Sequence, residues 1–308
     1  MTPSASVIGA DGWLGAMAAA RLKADRIVFG KNAPGVPFSA WLAKPGEASL
    51  IINASGWRVR PGLTRADYFS SHCDTTRQIV DRLSPDQTII HFSSASVMGA
   101  NRRAADGVHP SPRTFPAADY AEAKLQAERI VLEAAKIRGF RAIVLRPAIV
   151  YSPGGEGMIA TLLRLAQRGL LLKIAPSKAI NHLCSDALLL DTLVHLATDS
   201  ERFNGRTLKV ADPFVQTNAE ILAEVRALFP KAKLTAILPA SLLSWGLRLF
   251  PRLRGFDLKT WGEILGVWIL NSEYDASWLW EELMLDPEIY AKQHRWRGTL
   301  LAGRPSKS

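Results

Sequence analysis

Three groups of residues along this chain have the types and spacing for shared chemistry. Gly9, Gly12 and Gly15 recur at every third position, Ser93, Ser94 and Ser96 cluster three hydroxyls, and Tyr120-x-x-x-Lys124 sets a phenol and an amine one helical turn apart. Each group alone is commonplace, since glycines punctuate turns, serines fill loops, and a Tyr four residues before a Lys is an ordinary helix neighbour. In this order they describe hydride transfer. The glycine turn would seat a dinucleotide, and the lysine would hold a tyrosine whose hydroxyl exchanges a proton with a carbonyl or alcohol while a nicotinamide exchanges a hydride.

These groups need elements to carry them. Ser6-Val7-Ile8, the turn from Gly9 to Gly15, and Ala16 to Leu22 read as buried strand, tight turn and helix, the setting that a phosphate-binding glycine motif requires. Missing side chains let backbone amides approach a pyrophosphate, and the helix N-terminus adds partial positive charge. The competing reading is a turn whose glycines serve folding alone. A second strand, Arg26 to Phe29, ends at Gly30-Lys31-Asn32. An NAD site places an acid at this strand end for the ribose hydroxyls, whereas a cation there tolerates the additional phosphate of NADP. Lys31 therefore leans toward NADP, against an exposed loop lysine, while Asp25 lies at the wrong end of the strand.

About twenty residues lead from there to the buried run Ser49 to Ala54, too few for a full helix and strand, so a short strand is expected over Phe38 to Leu42. Further strands follow at Thr88 to Phe92 and Arg141 to Leu145, separated by helical patterns at Tyr68 to Leu83 and Ala117 to Arg138. Alternating strands and helices predict an α/β fold with a doubly wound parallel sheet. Ligands of such sheets bind beyond the carboxyl ends of the strands, where Asn53, Ala54, Ser93 and Ser94 fall.

At 308 residues, 48% of them hydrophobic and 21% charged, the chain has apolar side chains enough for one large or two smaller domains. Cys73 and Cys184 are too far apart for a disulfide framework or a zinc site, so no metal is expected and a reducing, cytoplasmic location is. No charged-then-apolar signal precedes the first strand, and export is not expected. The net charge of +10 favours an anionic partner: cofactor phosphate, substrate phosphate, a membrane surface or nucleic acid. Nucleic acid ranks last, because the cations are spread and no recognised module accompanies them. The most apolar stretch, Leu234 to Phe250, contains Pro239 and Arg248 and falls short of a membrane span. A packed core or dimer helix is preferred for it over peripheral membrane association.

Longer segments add specificity. Phe92-Ser93-Ser94-Ala95-Ser96-Val97-Met98-Gly99, Leu145-Arg146-Pro147-Ala148-Ile149-Val150-Tyr151, Asn181-His182-Leu183-Cys184-Ser185-Asp186-Ala187 and Tyr274-Asp275-Ala276-Ser277 follow the glycine turn and Tyr120-x-x-x-Lys124 in order. Together they resemble the extended short-chain dehydrogenase/reductases of the NAD-dependent epimerase/dehydratase type, from the first strand to near residue 290.

The resemblance implies a Rossmann fold with a dinucleotide-binding domain over 1–151, to which 183–212 returns, and a smaller substrate lobe from 152–182 and 213–308. It implies that Tyr120 is the proton donor or acceptor, that Lys124 contacts the nicotinamide ribose and lowers the tyrosine pKa, and that Ser94 bonds the reacting oxygen, with Ser96 able to trade roles. NAD or NADP is then expected against Gly9, Asp11, Gly12, Trp13, Leu14, Gly15, Lys31, Asn53, Ala54, Ser93, Tyr120, Lys124 and Pro147. Relatives dimerise through helices flanking the active tyrosine, and the apolar spacing of Ala117, Tyr120, Ala121, Ala123 and Leu125 predicts a homodimer here.

Departures narrow the reaction. Family dehydratases place Asp-Glu after the catalytic Ser or Thr, and Ala95-Ser96 stands there instead, which disfavours dehydration. His72 replaces a family asparagine and reads as a satisfied structural histidine. Lys173 and Lys178 flank the strand-like Ile174-Ala175, where nucleotide-sugar enzymes hold their nucleotide, and with His182, Arg102, Arg103 and Arg113 they are the candidates for a substrate diphosphate. The preferred reading is a nucleotide-sugar epimerase or reductase. An apolar C-terminal helix before Gly255-Phe256-Asp257-Leu258 would instead resemble the 3β-hydroxysteroid dehydrogenase-like branch, acting on apolar ketones or alcohols. A dinucleotide-binding regulator or assembly factor is the non-enzyme alternative.

Overall fold

Short apolar runs alternating with helices produce a seven-stranded, wholly parallel sheet. The computed structural model describes residues 3–60, 62–98, 118–152, 155–175, 178–239, 252–253, 256–257 and 272–293. The strands begin with β1 Ala5–Ile8, β2 Asp25–Val28, β3 Val36–Pro37, β4 Leu50–Asn53, β5 Thr88–Phe92, β6 Arg141–Pro147 and β7 Ile149–Tyr151. They continue with β8 Leu170–Ala175, β9 Ile180–Ser185, β10 Thr207–Val210, β11 Val215–Thr217 and β12 Lys233–Pro239. The large sheet runs β10-β6-β5-β4-β1-β2-β3. Its order reverses between β1 and β4, and the crevice at their carboxyl ends is where doubly wound sheets take ligands.

Both faces of the sheet are buried, which is why its strands read as unbroken apolar runs. Val7, Leu50, Ile52 and Ile90 pack on one face with residues of helices α1 Trp13–Leu22 and α7 Asp186–Thr198, while Ile8, Ile51 and Ile89 join Trp41 and Val131 on the other. Between them lie α2 Phe38–Ala43, α3 Arg65–Phe69, α4 Thr75–Val80, α5 Ala118–Arg138 and α6 Met158–Gln167. A π-helical turn, Ser70–Asp74, joins α3 to α4. After α7 come α8 Asn218–Leu228 and the short α9 Trp278–Glu281 and α10 Pro287–Gln293.

Two expectations are corrected. Phe38 to Leu42 is a helix, not a strand, and the edge strand is the two residues before it. Phe38, Trp41 and Leu42 stand at i, i+3 and i+4, so a helix turns all three toward the core, whereas a strand would divide them between faces. The apolar stretch after Lys233 opens as a strand, because residues 234–239 pair in parallel with β8. Its remainder, 240–250, lies outside the described residues. A short apolar run alone does not separate a buried strand from a buried helix.

Residues 170–175 and 233–239 form this separate pair of strands, with α6 and α8 against it. Ile159, Leu163, Leu171, Ile221 and Val225 make a second core there, apart from the large sheet. Strand β10 returns to the large sheet beside β6. No helix among the described residues is long and apolar enough to cross a membrane.

Candidate active site

The glycine turn is built for close approach of backbone. Gly9 takes φ +86°, and a Cβ on it would fall 2.9 Å from the Ala54 backbone; a Cβ on Gly15 would fall 2.1 Å from the Gly9 carbonyl. Any side chain at either position would push β1, β4 and α1 apart. Gly9 and Ala10 both donate to the Ile27 carbonyl, and the N-cap of α1 is Gly12, which has no side chain to bond the first amides. The amides of Trp13, Leu14 and Gly15 thus open the helix toward the crevice with its positive end. Ala54 donates to the Ile8 carbonyl, and Asn53 pairs with Ile8, which sets both at the crevice wall. This cradle fits a dinucleotide pyrophosphate.

Across the crevice, the residues after β5 meet α5. Ser96 donates to the Ser94 hydroxyl oxygen from its backbone amide at 3.2 Å and from its own hydroxyl at 2.9 Å. With both lone pairs engaged, Ser94 has its own proton left for the Tyr120 oxygen, and that bond favours the phenolate. Burial outweighs it and pushes the Tyr120 phenol up to about 12. Tyr68 and His72 meet the Tyr120 ring edge-on, at 5.9 and 5.5 Å between centroids. Ser96 therefore supports Ser94.

Lys124 lies a helical turn further along and turns inward. Its ammonium donates to the Phe92 carbonyl at 2.7 Å. Burial lowers its pKa to about 8, against the attraction of Glu128. The expected lowering of the tyrosine pKa by this lysine does not arise in the chain alone, because the ammonium is committed to a carbonyl at the end of β5.

One consequence can be measured. Lys124 ordinarily titrates near 10.5, so between pH 8 and 10.5 the unfolded chain binds more protons than the folded one and this group's contribution to stability rises with pH. Relative to Lys124→Met, the wild type should gain up to about 3 kcal/mol across that window. The burial-raised Cys73, at about 11, opposes the trend in both proteins, and more so in Lys124→Met, where the ammonium no longer holds the thiol down. Urea unfolding at pH 8 and pH 10 checks this, and a pH-independent difference between the two proteins would refute it.

Beneath the tyrosine and lysine lies a buried ion pair absent from the sequence expectations. Glu128, one turn past Lys124, takes both nitrogens of the Arg146 fork, Nε at 2.9 Å and Nη2 at 2.6 Å, and accepts a further bond from the Ser93 hydroxyl. Both charges are less than 10% exposed. The pair ties α5 to β5 and β6, and so sets how far Tyr120 and Lys124 project over the strand ends. Ser93 is spent on this network.

The other candidates divide. Asn53 donates to Thr76 and to His91 Nδ1, and accepts from the Ser55 amide and hydroxyl, so its side chain braces β4, β5 and α4. His72 bonds the Trp57 carbonyl through Nε2, and its buried Nδ1 has no partner among the described residues, leaving it half satisfied. His182 spends both ring nitrogens on backbone, the Asp212 carbonyl at 2.6 Å and the Tyr274 amide at 3.0 Å, which leaves neither for a diphosphate. It lines a cavity of about 650 Å³ with Asp212, Phe214, Tyr274 and Trp280, none of them from the Ser94, Tyr120 and Lys124 group. Lys31 and Lys178 are exposed, and Pro147 ends β6. The Lys173 side chain, Arg102, Arg103, Arg113 and Ala117 lie outside the described residues. Ala121, Ala123 and Leu125 are buried within the chain's own core, which accounts for the apolar spacing without a second copy.

Residues 47–180 match the model of the NAD dependent epimerase/dehydratase family. A UDP-glucose 4-epimerase from Vibrio cholerae is 27% identical over 182 residues, 58% of this chain and 53% of the relative; the chain thus spans about half that protein's length. An uncharacterized protein y4nG from Sinorhizobium fredii is 31% identical over 105 residues, 33% of this chain and 26% of its own. Among solved structures, human epimerase family protein SDR39U1 with NADPH superposes with a TM-score of 0.68 at 15% identity, covering 89% of this chain and 91% of its own. MoeE5 with UDP-glucuronic acid and NAD gives 0.65 at 18% identity, over 77% and 85%. These two likenesses show the fold.

Proposed function

We propose that this chain, its centre matching the NAD dependent epimerase/dehydratase family, is an oxidoreductase of the extended short-chain type that uses a nicotinamide dinucleotide on a nucleotide-activated sugar. The observation that carries the reading is the meeting of three groups at the end of β5: Ser94 bonded to Tyr120, and Lys124 anchored on the Phe92 carbonyl, across the crevice from the glycine cradle. A bound nicotinamide dinucleotide would supply or take up the hydride. Tyr120 Oη handles the proton of the reacting hydroxyl or carbonyl, Ser94 orients that oxygen, and Lys124 supplies the nearby positive charge. In the direction of reduction the protonated phenol is ready to donate. In the direction of oxidation it must first lose its proton, which the positive charge of an oxidised nicotinamide favours.

The substrate class rests on the Vibrio relative and on the UDP-sugar named with the MoeE5 structure. The positive net charge suits a diphosphate. Ala95 and Ser96 after Ser94 keep dehydration disfavoured, leaving epimerisation or reduction. The buried thiols Cys73 and Cys184 fit a cytosolic location. The apolar-ketone reading is weakened where residues 234–239 pair as a strand.

Thermal-shift measurements with NAD and NADP, each combined with UDP-, dTDP- and GDP-sugars and with a steroid ketone, test the reading. A ligand at a hundred times its dissociation constant adds about 2.7 kcal/mol of stability, well within detection. Stabilisation by a dinucleotide plus one nucleotide sugar is the expected result. Stabilisation by the steroid alone would replace the sugar with an apolar ketone, and stabilisation by a dinucleotide to which no candidate substrate adds would favour the regulator.

A further inference from the structure

We infer that Asp11 selects NAD over NADP, by delivering from the glycine turn the carboxylate that the end of β2 lacks; this rests on the dinucleotide reading above. Strand β2 ends at Val28, and the residues after it, Phe29 and Gly30, carry no acid. Asp11 Oδ2 accepts from the Phe29 amide at 3.2 Å and from the Gly30 amide at 2.9 Å. A Cβ built on Gly30 would lie 3.4 Å from that same oxygen. The carboxylate therefore occupies the space into which an acidic side chain at position 30 would extend, although it arrives from nineteen residues earlier in the chain.

The placement is fixed by several bonds. Gly9 and Ala10 donate to the Ile27 carbonyl, and Arg26 donates to the Ala10 carbonyl at 2.6 Å, so the turn is pinned to β2 immediately before Asp11. Asp11 is exposed, and its Oδ1 has no protein partner among the described residues. An acid at this strand end bonds the adenosine ribose hydroxyls of NAD. A 2′-phosphate would meet two obstacles. Its negative charge would stand against a held carboxylate, and the Phe29 and Gly30 amides that would otherwise face it are already taken by Asp11. Lys31 offers the opposite charge, but on an exposed, flexible stem that salt screens and ordering weakens. A fixed anion at the strand end outweighs a mobile cation one residue beyond it, which reverses the NADP preference read from Lys31.

Equilibrium titration of the full chain with NAD and NADP, followed by tryptophan fluorescence or calorimetry, tests this without turnover. Wild type should bind NAD at least tenfold more tightly than NADP. Asp11→Asn keeps an oxygen for the two amides and removes the charge, so the preference should shrink at least tenfold, chiefly through tighter NADP binding. Tighter binding of NADP by wild type, an unchanged ratio in Asp11→Asn, or a ratio that responds to Lys31→Ala in place of Asp11→Asn would each overturn the inference. If neither dinucleotide binds wild type, the dinucleotide reading falls and takes this inference with it.

Discussion

Tyr120→Phe should lower turnover by a factor on the order of 10² to 10⁴ or more while leaving dinucleotide affinity nearly unchanged. The ring would keep its edge contacts with Tyr68 and His72, so α5 has no reason to move. Only the hydroxyl is lost, and its Ser94 partner retains both bonds from Ser96. Lys124→Ala should differ in kind, weakening both turnover and dinucleotide binding, because the ammonium that holds the Phe92 carbonyl also supplies charge to the crevice. Stopped-flow turnover beside a dinucleotide titration separates the two outcomes. Normal turnover by the phenylalanine variant would remove the proton-transfer role from Tyr120, and a large loss of dinucleotide affinity would mean that the hydroxyl serves the cradle instead.

The reach of the sequence follows the kind of signal each element leaves. Strands β1, β4, β5 and β6 were legible because a sheet covered on both faces demands consecutive apolar residues, and Val7-Ile8, Leu50-Ile51-Ile52 and Ile89-Ile90 supply them. Helix α5 was legible from its length. Helix α2 was not, since six residues give barely more than one period, and Phe38, Trp41 and Leu42 decide it only once the core they share is known. The π-helical turn at Ser70–Asp74 has no compositional mark, yet it belongs to the segment that turns His72 toward Tyr120.

The candidate site divides the same way. Motif order indicates Ser94, Tyr120 and Lys124, while the direction of the Tyr120 pKa depends on where the lysine points, which spacing does not encode. Asp11 against Gly30 is a contact between two loops separated in sequence by α1 and β2. Glu128 and Arg146 did leave a trace. A charged residue between Leu145 and Pro147, following the apolar run Ala142 to Leu145, requires a partner, and Glu128 shares the helix face of Tyr120 and Lys124 at successive steps of four.

Glu128→Gln should cost about 3–5 kcal/mol of stability, the penalty for leaving a buried charge without its partner. Arg146 is 8% exposed, so water cannot replace the carboxylate, and an amide offers one acceptor where the guanidinium fork and Ser93 need two oxygens. Against a total of 5–15 kcal/mol for a typical native protein, the loss is large, and a melting-temperature drop of roughly 6–20 °C is expected. The double variant Glu128→Leu with Arg146→Met should recover most of it, because burying neither charge removes the desolvation cost along with the attraction. That recovered protein separates folding from positioning. If the pair also sets the height of Tyr120 and Lys124 over β5, the double variant folds but turns over substrate more slowly, with dinucleotide affinity reduced as in Lys124→Ala. A double variant that is both stable and fully active would confine the pair to stability. A Glu128→Gln protein that unfolds within about 1 kcal/mol of wild type would show that Arg146 finds another partner and that the network does not fix α5 on the sheet.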